Sequence, residues 1–230
     1  MTEERLDPLW RKSIAGIAFL LLVIMTALFL PAFTLRYWQA WAYCIVFLGA
    51  VLFVTVHFLR RDRDLIRRRL SAGPTFERRR RQQIAQALAS ALFIALFVVS
   101  GLDRRFGWSR IPGAVALLGD ALLASGFTLV FFVFRENSHA SATIEVSAGQ
   151  RVVATGPYRH VRHPMYAGGL LILAATPVAL GSLVALPLVL PLLGVLVFRL
   201  WDEERMLSLE LPGYREYCQE VRFRLIPGVW

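Results

Sequence analysis

The sequence predicts an all-α integral membrane protein with about six membrane helices. Three observations predict this class: 57% of the 230 residues are hydrophobic, the mean hydropathy is +0.54, and apolar runs long enough to cross a bilayer recur. Four such runs occupy residues 14–33, 41–59, 84–102 and 114–134. We expect each to form one span, and the first to be permanent because it exceeds the apolar part of a signal peptide.

A fifth apolar region, residues 168–201, is too long for a single span and is interrupted by proline and glycine. Because these residues break helices, we expect a tight hairpin of two short membrane helices that turns near residues 181–182. After the hairpin, the acidic residues are expected to open a separate amphipathic helix over 202–210, which resumes over 214–224. The chain is expected to form a single membrane domain, 1–230.

Positive charge is concentrated in one loop. Ten arginines lie between residues 60 and 81, directly between the second and third spans. By the positive-inside rule this loop is cytoplasmic, and so are the N-terminus, the loop 135–167 and the C-terminal tail. We expect a multi-pass protein of a bacterial inner membrane with both termini in the cytoplasm. This topology and contact with membrane lipids account for the net charge of +10, so no nucleic-acid partner is expected.

Polar chemistry is concentrated on both sides of the predicted hairpin. Before it, residues 154–166 contain two histidines, two arginines and two tyrosines. Ionisable groups that a membrane protein keeps between its spans are usually functional. After the hairpin come an acidic pair, Glu203 and Glu204, and two tyrosines, Tyr214 and Tyr217, whose spacing places them on one helix face. A hairpin returns the chain to the same membrane face, so we expect these groups to form one site.

The polar residues fall into short motifs: Gly156-Pro157-Tyr158, Arg162-His163-Pro164-x-Tyr166, Glu203-Glu204, Pro212-Gly213-Tyr214-x-x-Tyr217 and Arg224-x-x-Pro227. Their order and spacing resemble the isoprenylcysteine carboxyl methyltransferase family, which is related to the phospholipid N-methyltransferases. The resemblance covers roughly residues 134–230. The earlier spans carry no matching signature, so 1–134 is expected to be a scaffold and 135–230 a methyltransferase-like cofactor-binding region.

The resemblance implies methyl transfer from S-adenosylmethionine to a lipophilic or lipidated acceptor at the cytoplasmic membrane face. The sequence has no Gly-x-Gly-x-x-Gly motif after a strand, which agrees with a site unlike the soluble nucleotide-binding fold. The residues that the resemblance assigns to the cofactor are Gly156, Tyr158, His163, Pro164, Tyr166, Glu203, Glu204, Tyr214 and Tyr217. Those that it assigns to catalysis are Arg162 and Glu204. No metal site is expected.

Physical chemistry suggests a role for each group. Arg162 and His163 suit the cofactor carboxylate, and Pro164 suits the first turn of a helix whose amides can receive that anion. Tyrosine rings suit the adenine or the sulfonium cation. Glu204 suits the ribose or the amino group, and would be a general base for an amine or hydroxyl acceptor. A carboxylate acceptor needs no base.

Two other classes stay open on the sequence alone. Sterol-type membrane reductases that use NADPH carry a similar Arg-His-x-x-Tyr element, although they are longer and have more spans. A non-catalytic lipid-binding protein is the third class, but it would not need so concentrated a polar site. The acceptor, whether carboxylate, thiol or amine, and the oligomeric state are left open. His57 is expected to be interfacial. Asp120 is expected to hydrogen-bond within the bundle or to lie near the interface, with a role in acceptor binding as a further alternative.

Overall fold

A computed structural model describes residues 7–70, 73–77, 79–140, 142–144, 146 and 149–230. Within these residues the chain forms eight α-helices and three short 3₁₀ turns, and no strand. The helices are α1 (Pro8–Ala32), α2 (Trp38–Arg61), α3 (Arg63–Leu70), α4 (Arg80–Phe106), α5 (Gly113–Glu136), α6 (Pro164–Ala179), α7 (Val189–Glu210) and α8 (Tyr214–Glu220). The 3₁₀ turns are Pro74–Phe76, Gly156–Arg159 and Leu186–Leu188. This architecture agrees with the predicted all-α class.

The helices α1, α2, α4 and α5 are each long and apolar enough to cross a membrane. They correspond to the four apolar runs that the sequence predicts as spans, except that α1 ends at Ala32, one residue before the end of the first run. Local chemistry sets their ends. The Asp7 side chain caps α1 by accepting a hydrogen bond from the Leu9 amide at 2.9 Å, and Gly107 ends α4 in the left-handed conformation, with φ 67°.

The predicted hairpin is present but shorter than two full spans. Its first arm, α6, ends at Ala179, and Gly181 turns the chain with φ 74°. The sixteen residues of α6 extend about 24 Å, which is less than the hydrocarbon core of about 30 Å. The second arm, α7, is apolar only until Arg199. The six predicted membrane segments are therefore four full-length apolar helices and a shorter hairpin.

The C-terminal segment differs from the prediction. We expected the acidic residues at 202–204 to open a new amphipathic helix, but α7 is one continuous helix from Val189 to Glu210. No proline or glycine interrupts residues 195–210, so the backbone hydrogen bonds of the membrane arm continue into the charged part. The following helix, α8, ends at Glu220 rather than at residue 224. The acidic pair is thus held rigidly by the hairpin itself.

The helices α5 and α6 approach each other closely because glycine lies at their contact. A Cβ atom on Gly126 would lie 2.7 Å from Cγ1 of Ile172, and one on Gly168 would lie 2.9 Å from Cγ2 of Val130. Small residues at such contacts let membrane helices pack backbone to backbone. This packing fixes the position of α6, and with it the polar residues at its start.

The far end of α6 is held by a buried polar group that we call the Asp103 cluster: Tyr37, Asp103, Ser109 and Ser182. The Asp103 carboxylate accepts hydrogen bonds from the Ser182 hydroxyl at 2.5 Å, the Ser109 hydroxyl at 2.6 Å and the Ser109 amide at 2.7 Å. The Tyr37 hydroxyl donates to the Leu180 carbonyl oxygen at 2.5 Å. These bonds tie the hairpin turn to α4 and to the start of α2.

Candidate functional site

A cavity of about 330 Å³ opens at the end of the bundle that carries the arginine-rich loop. Its walls come from the starts of α6 and α8, the second half of α7 and the chain between α5 and α6. Eight of the ten predicted site residues line it: Tyr158, Arg162, His163, Pro164, Tyr166, Glu203, Tyr214 and Tyr217. The hairpin therefore brings together the groups on its two sides, as the sequence predicts.

The start of α6 is the most tightly held part of the wall. His163 is the N-cap residue, and Pro164 occupies the first helical position. The backbone amides of Arg162 and His163 donate to the carbonyl oxygens of Phe223 and Arg224, each at 2.9 Å. These bonds fix the loop at the N-terminus of α6, where the helix dipole favours an anion.

Four charged or ionisable side chains gather at this wall, and we call them the Glu204 cluster: Arg162 and His163, which line the cavity, and Glu204 and Arg224, which do not. Oε1 of Glu204 lies 3.1 Å from Nε of Arg162 and 3.3 Å from Nε2 of His163. These two contacts are close but poorly aligned as hydrogen bonds, whereas Nε of Arg224 donates a well-aligned bond to Oε2 at 2.9 Å. Burial alone would raise the pKa of Glu204, but His163, Arg224 and Arg162 hold it below its usual value.

The neighbouring Glu203 faces the cavity instead. The Tyr166 hydroxyl donates to its Oε2 at 2.6 Å, and both side chains line the wall. Successive residues on a helix point about 100° apart, so the two adjacent glutamates face different surroundings. The Glu203 carboxylate faces the cavity, whereas the Glu204 carboxylate contacts Arg162, His163 and Arg224.

Tyrosines close the other side of the cavity. The Tyr217 hydroxyl donates to the Tyr158 carbonyl oxygen at 2.7 Å, and the Asn137 amide donates to the Tyr158 hydroxyl at 3.0 Å. Burial raises the pKa of Tyr158 to about 12, so its hydroxyl stays protonated. The buried hydroxyl of Tyr214 and Nδ1 of His139 have no hydrogen-bond partner within the described residues. Buried polar atoms are rarely left unbonded, so these two favour a polar ligand.

Part of the chain that forms this cavity is similar to known membrane enzymes. Residues 114–210 match the model of the phospholipid methyltransferase family. The match covers less than half of the chain but contains α5 apart from its first residue, α6, α7 and the whole polar loop between α5 and α6. It supports a membrane methyltransferase.

A second similarity points in another direction. The chain is 34% identical over 91 residues to a Delta(14)-sterol reductase of Mus musculus. These residues are 38% of this chain and only 22% of the reductase. Because this chain covers only 22% of the reductase, the activity of the whole reductase does not follow from the similarity.

The matched segment includes Gly156 and Glu204, the two predicted site residues that do not line the cavity. Gly156 has φ 56°, and a Cβ atom there would lie 2.5 Å from Cγ of Glu136. A glycine at this position therefore lets the 3₁₀ turn that carries Tyr158 pack against the end of α5. The cofactor contacts stay predictions for all ten residues, and Tyr214 and Tyr217 lie outside the matched segment.

The cavity also contains residues that the sequence did not identify, most clearly Arg199. Its guanidinium forms an ion pair with Glu77 at 2.8 Å and donates to Oε1 of Gln82 at 3.1 Å. Arg69 and Asn137 line the same cavity. A basic residue inside an apolar arm was a usable signal for Arg199. Arg69 had no such signal, because it belongs to the run of arginines that topology explains.

Two further ionisable residues lie away from the cavity. His57, near the end of α2, packs against aromatic rings, with Phe58 at 4.9 Å and Phe131 at 5.0 Å between ring centroids. Asp120 is buried in α5, and neither carboxylate oxygen has a partner in the described part of the chain. The first of the two expected placements of Asp120, a hydrogen bond within the bundle, is therefore not found among those residues.

Proposed function

We propose that this protein is a membrane-embedded methyltransferase that uses S-adenosylmethionine and methylates a lipophilic acceptor. One observation carries the proposal: Arg162, His163, Tyr166 and Glu203, which line a polar cavity at the start of α6, all belong to the segment that matches the phospholipid methyltransferases. The resemblance of the motifs to the isoprenylcysteine carboxyl methyltransferases supports the same conclusion.

The residues present suit the cofactor. The cavity of about 330 Å³ falls in the usual range of ligand sites, which begins at about 300 Å³. Its wall contains a helix N-terminus, a carboxylate and buried aromatic rings. The Tyr214 hydroxyl and His139 Nδ1, which have no partner among the described residues, are available to a polar ligand. When bound, S-adenosylmethionine supplies a methyl group on a positively charged sulfur.

Each residue then has a distinct task. Arg162, His163 and the first amides of α6 bind the cofactor carboxylate. Glu203 accepts hydrogen bonds from the ribose or the amino group, and the tyrosines shield the site from water and face the sulfonium. Glu204 does not reach the cavity, so we assign it to holding Arg162 and His163 in place rather than to removing a proton. If the acceptor is an amine or hydroxyl, Glu203 is the carboxylate placed to act as a base.

The decisive experiment is calorimetric titration of the purified protein with S-adenosylmethionine. We expect His163→Ala to abolish binding, because it removes a ring that lines the cavity and contacts Glu204. His160→Ala is the matched control, since His160 is exposed and lies outside the cavity wall. Unchanged affinity in His163→Ala, with normal affinity in the control, would overturn the assignment.

The similarity to the sterol reductase supplies the second candidate, an NADPH-dependent reductase. The same titration with NADPH separates the two. We expect S-adenosylmethionine to bind and NADPH not to bind. The reverse result would favour the reductase, and failure of both to bind would favour the non-catalytic lipid-binding class.

The position of the cavity agrees with a cytoplasmic methyl donor. The arginine-rich loop and the cavity lie at the same end of the bundle, so a cytoplasmic loop places the cavity where S-adenosylmethionine is made. We place the protein in a bacterial inner membrane with both termini in the cytoplasm. Labelling of Cys218 by a membrane-impermeant maleimide only after the membrane is opened supports this orientation, and labelling in intact cells contradicts it.

A further inference from the structure

The Arg199 guanidinium belongs to a set of polar side chains that extends outward from the cavity, and we call it the Arg199 network: Glu77, Gln82, Arg199 and Asp202. Oε1 of Glu77 lies 2.8 Å from Nη2 of Arg199, and Oε1 of Gln82 accepts a hydrogen bond from Nη1 at 3.1 Å. Nε2 of Gln82 donates to Oδ2 of Asp202 at 2.6 Å. Of these four residues, Arg199 lines the cavity. The network therefore joins the cavity wall to the start of α4 and the chain before it.

The ion pair of the network is buried. Glu77 is 4% exposed and Arg199 is 9% exposed. Taking two charges out of water is costly, and apolar residues of similar volume are often at least as stable as a buried ion pair. Stability of the fold therefore does not explain why charged residues occupy these two positions. The pair has one property that an apolar pair lacks, because it places a negative charge directly behind a positive group of the cavity wall.

The backbone of Glu77 is held by its own surroundings. Its amide donates to the Pro74 carbonyl oxygen at 3.4 Å, and its carbonyl oxygen accepts a hydrogen bond from Nε2 of Gln83 at 2.9 Å. These bonds fix the chain between α3 and α4 against the first turn of α4. The Glu77 carboxylate is therefore in place before a ligand binds, which is the condition for a charge that acts on a binding site.

The cavity wall carries more positive than negative charge. Among the described residues that line it, Glu203 is the one carboxylate, whereas four are arginines: Arg69, Arg151, Arg162 and Arg199. The proposed cofactor adds a further positive charge on its sulfur. Like charges repel more strongly in a protein site than in water, because the effective dielectric constant is lower there. Binding of a sulfonium is therefore favoured by carboxylates that lie just outside the wall.

Two carboxylates occupy such positions. Glu204 contacts Arg162 and His163, and Glu77 contacts Arg199. Glu204 belongs to the segment that matches the phospholipid methyltransferases, whereas Glu77 lies outside it, in the arginine-rich loop. The loop that the sequence assigns to membrane topology thus supplies one of the two negative charges next to the wall.

We propose that Glu77 balances the charge of the cofactor site: it holds the Arg199 guanidinium in the cavity wall and offsets its charge, so that the cavity accepts a ligand with a positively charged sulfur. The identity of that ligand rests on the proposed function. The contacts of Glu77 with Arg199 do not. The loop between α3 and α4 thereby contributes to the site, in addition to the segment that the family match covers.

Two ligands that differ by one positive charge test this role. S-adenosylhomocysteine lacks the methyl group of S-adenosylmethionine and, with it, the charge on the sulfur. Calorimetric titration of the purified full-length protein gives both dissociation constants, and their ratio measures the preference for the charged ligand. We expect Glu77→Gln to lower this preference about tenfold, which is about 1.4 kcal/mol. A unit charge about 10 Å away has an effect of this size at an effective dielectric constant of about 20.

Three further variants separate charge from structure. Glu77→Asp keeps the charge and should keep the wild-type ratio. Arg199→Gln leaves the Glu77 charge without its partner and should raise the preference for S-adenosylmethionine, so the proposal stays testable even if Glu77→Gln does not fold. Asp64→Asn removes an exposed carboxylate of α3 and should change neither constant. Equal weakening of both ligands in Glu77→Gln, or an unchanged ratio in Arg199→Gln, would show that the pair is only structural and overturn the proposal.

The same titrations separate the role of Glu77 from the proposed function. If the wild type binds S-adenosylmethionine but Glu77→Gln leaves the ratio unchanged, the charge-balancing role fails and the methyltransferase assignment stands. If the wild type binds the anionic NADPH instead, the methyltransferase assignment fails, and the charge-balancing role then requires tighter NADPH binding in Glu77→Gln, because a negative charge has been removed. Weaker or unchanged NADPH binding in that variant would overturn both.

Discussion

The two ends of α6 both carry buried polar groups, but they differ in how those groups are bonded. At the C-terminal end, the Asp103 carboxylate accepts three hydrogen bonds, and Tyr37 donates to the turn. At the N-terminal end, Nε of Arg162, Nε2 of His163 and the Tyr214 hydroxyl have no well-aligned partner in the described structure. A polar cluster whose hydrogen bonds are all formed stabilises a fold, whereas a cluster with unbonded donors and acceptors can hydrogen-bond to a ligand.

The largest expected effect is at the satisfied end. Asp103→Ala leaves the Ser182 and Ser109 groups buried without an acceptor, and we expect a loss of about 3 kcal/mol in the free energy of unfolding. Thermal unfolding in detergent measures this. The exposed Asp64, paired with Arg67, is the control, since Asp64→Ala removes only a surface ion pair. S-adenosylmethionine affinity of the folded Asp103→Ala protein should be unchanged, and a selective loss of affinity would erase the contrast between the two ends.

The next effect is at the Glu204 cluster. Glu204→Gln removes the charge that holds Arg162, His163 and Arg224, and we expect the S-adenosylmethionine affinity to fall about tenfold, which is about 1.4 kcal/mol. Glu210→Gln on the exposed end of the same helix is the control, with no expected change. Titration calorimetry measures both. An equal loss of affinity in the two variants would mean that the overall charge of the protein, and not the Glu204 cluster, determines the affinity.

The two tyrosines of α8 differ in the same way as the two ends of α6, because one hydroxyl has a hydrogen-bond partner and the other has none among the described residues. Tyr217 donates a hydrogen bond to the Tyr158 carbonyl oxygen, so Tyr217→Phe should cost about 1 kcal/mol of stability. The Tyr214 hydroxyl has no partner among the described residues, so Tyr214→Phe should leave the melting temperature unchanged yet weaken cofactor binding about fivefold, as the loss of about 1 kcal/mol implies. If Tyr214→Phe lowers stability and leaves binding unchanged, its hydroxyl is structural.

The smallest effect is a pH dependence of stability. The folded state holds the pKa of Glu204 below the usual glutamate value of about 4.3, so its contribution is complete above that value. The contribution is lost as the pH falls through the lowered pKa. We therefore expect the melting temperature to decline less steeply with acidification in Glu204→Gln than in the wild type. Parallel curves for the two proteins would show that the cluster does not stabilise the folded state.

Features set by local sequence were predictable. The four long spans follow from uninterrupted apolar runs, and the hairpin turn follows from Gly181, whose positive φ a side chain would oppose. The sequence also predicted that Tyr166, Glu203 and Tyr214 lie around one cavity, because a hairpin returns the chain to the membrane face from which it started.

Features set by contacts between distant residues were not predictable. The sequence does not show that Glu203 faces the cavity while Glu204 faces arginines, since this depends on the rotation of α7 against α6. The pairing of Arg199 with Glu77 joins an apolar arm to a loop far away in the chain. The continuity of α7 was missed because the change from apolar to charged residues was interpreted as a helix boundary, although no breaker lies there.

The backbone bonds from Arg162 and His163 to Phe223 and Arg224 have a consequence for biosynthesis. During translation the loop before α6 leaves the ribosome well before its bonding partners do. The membrane bundle can thus insert while the loop is still unsupported, and the cavity gains its rigid wall only when residues 223–224 arrive. Affinity for a small molecule should consequently arise abruptly once residues 223–224 have been made, after the helices before them have entered the bilayer.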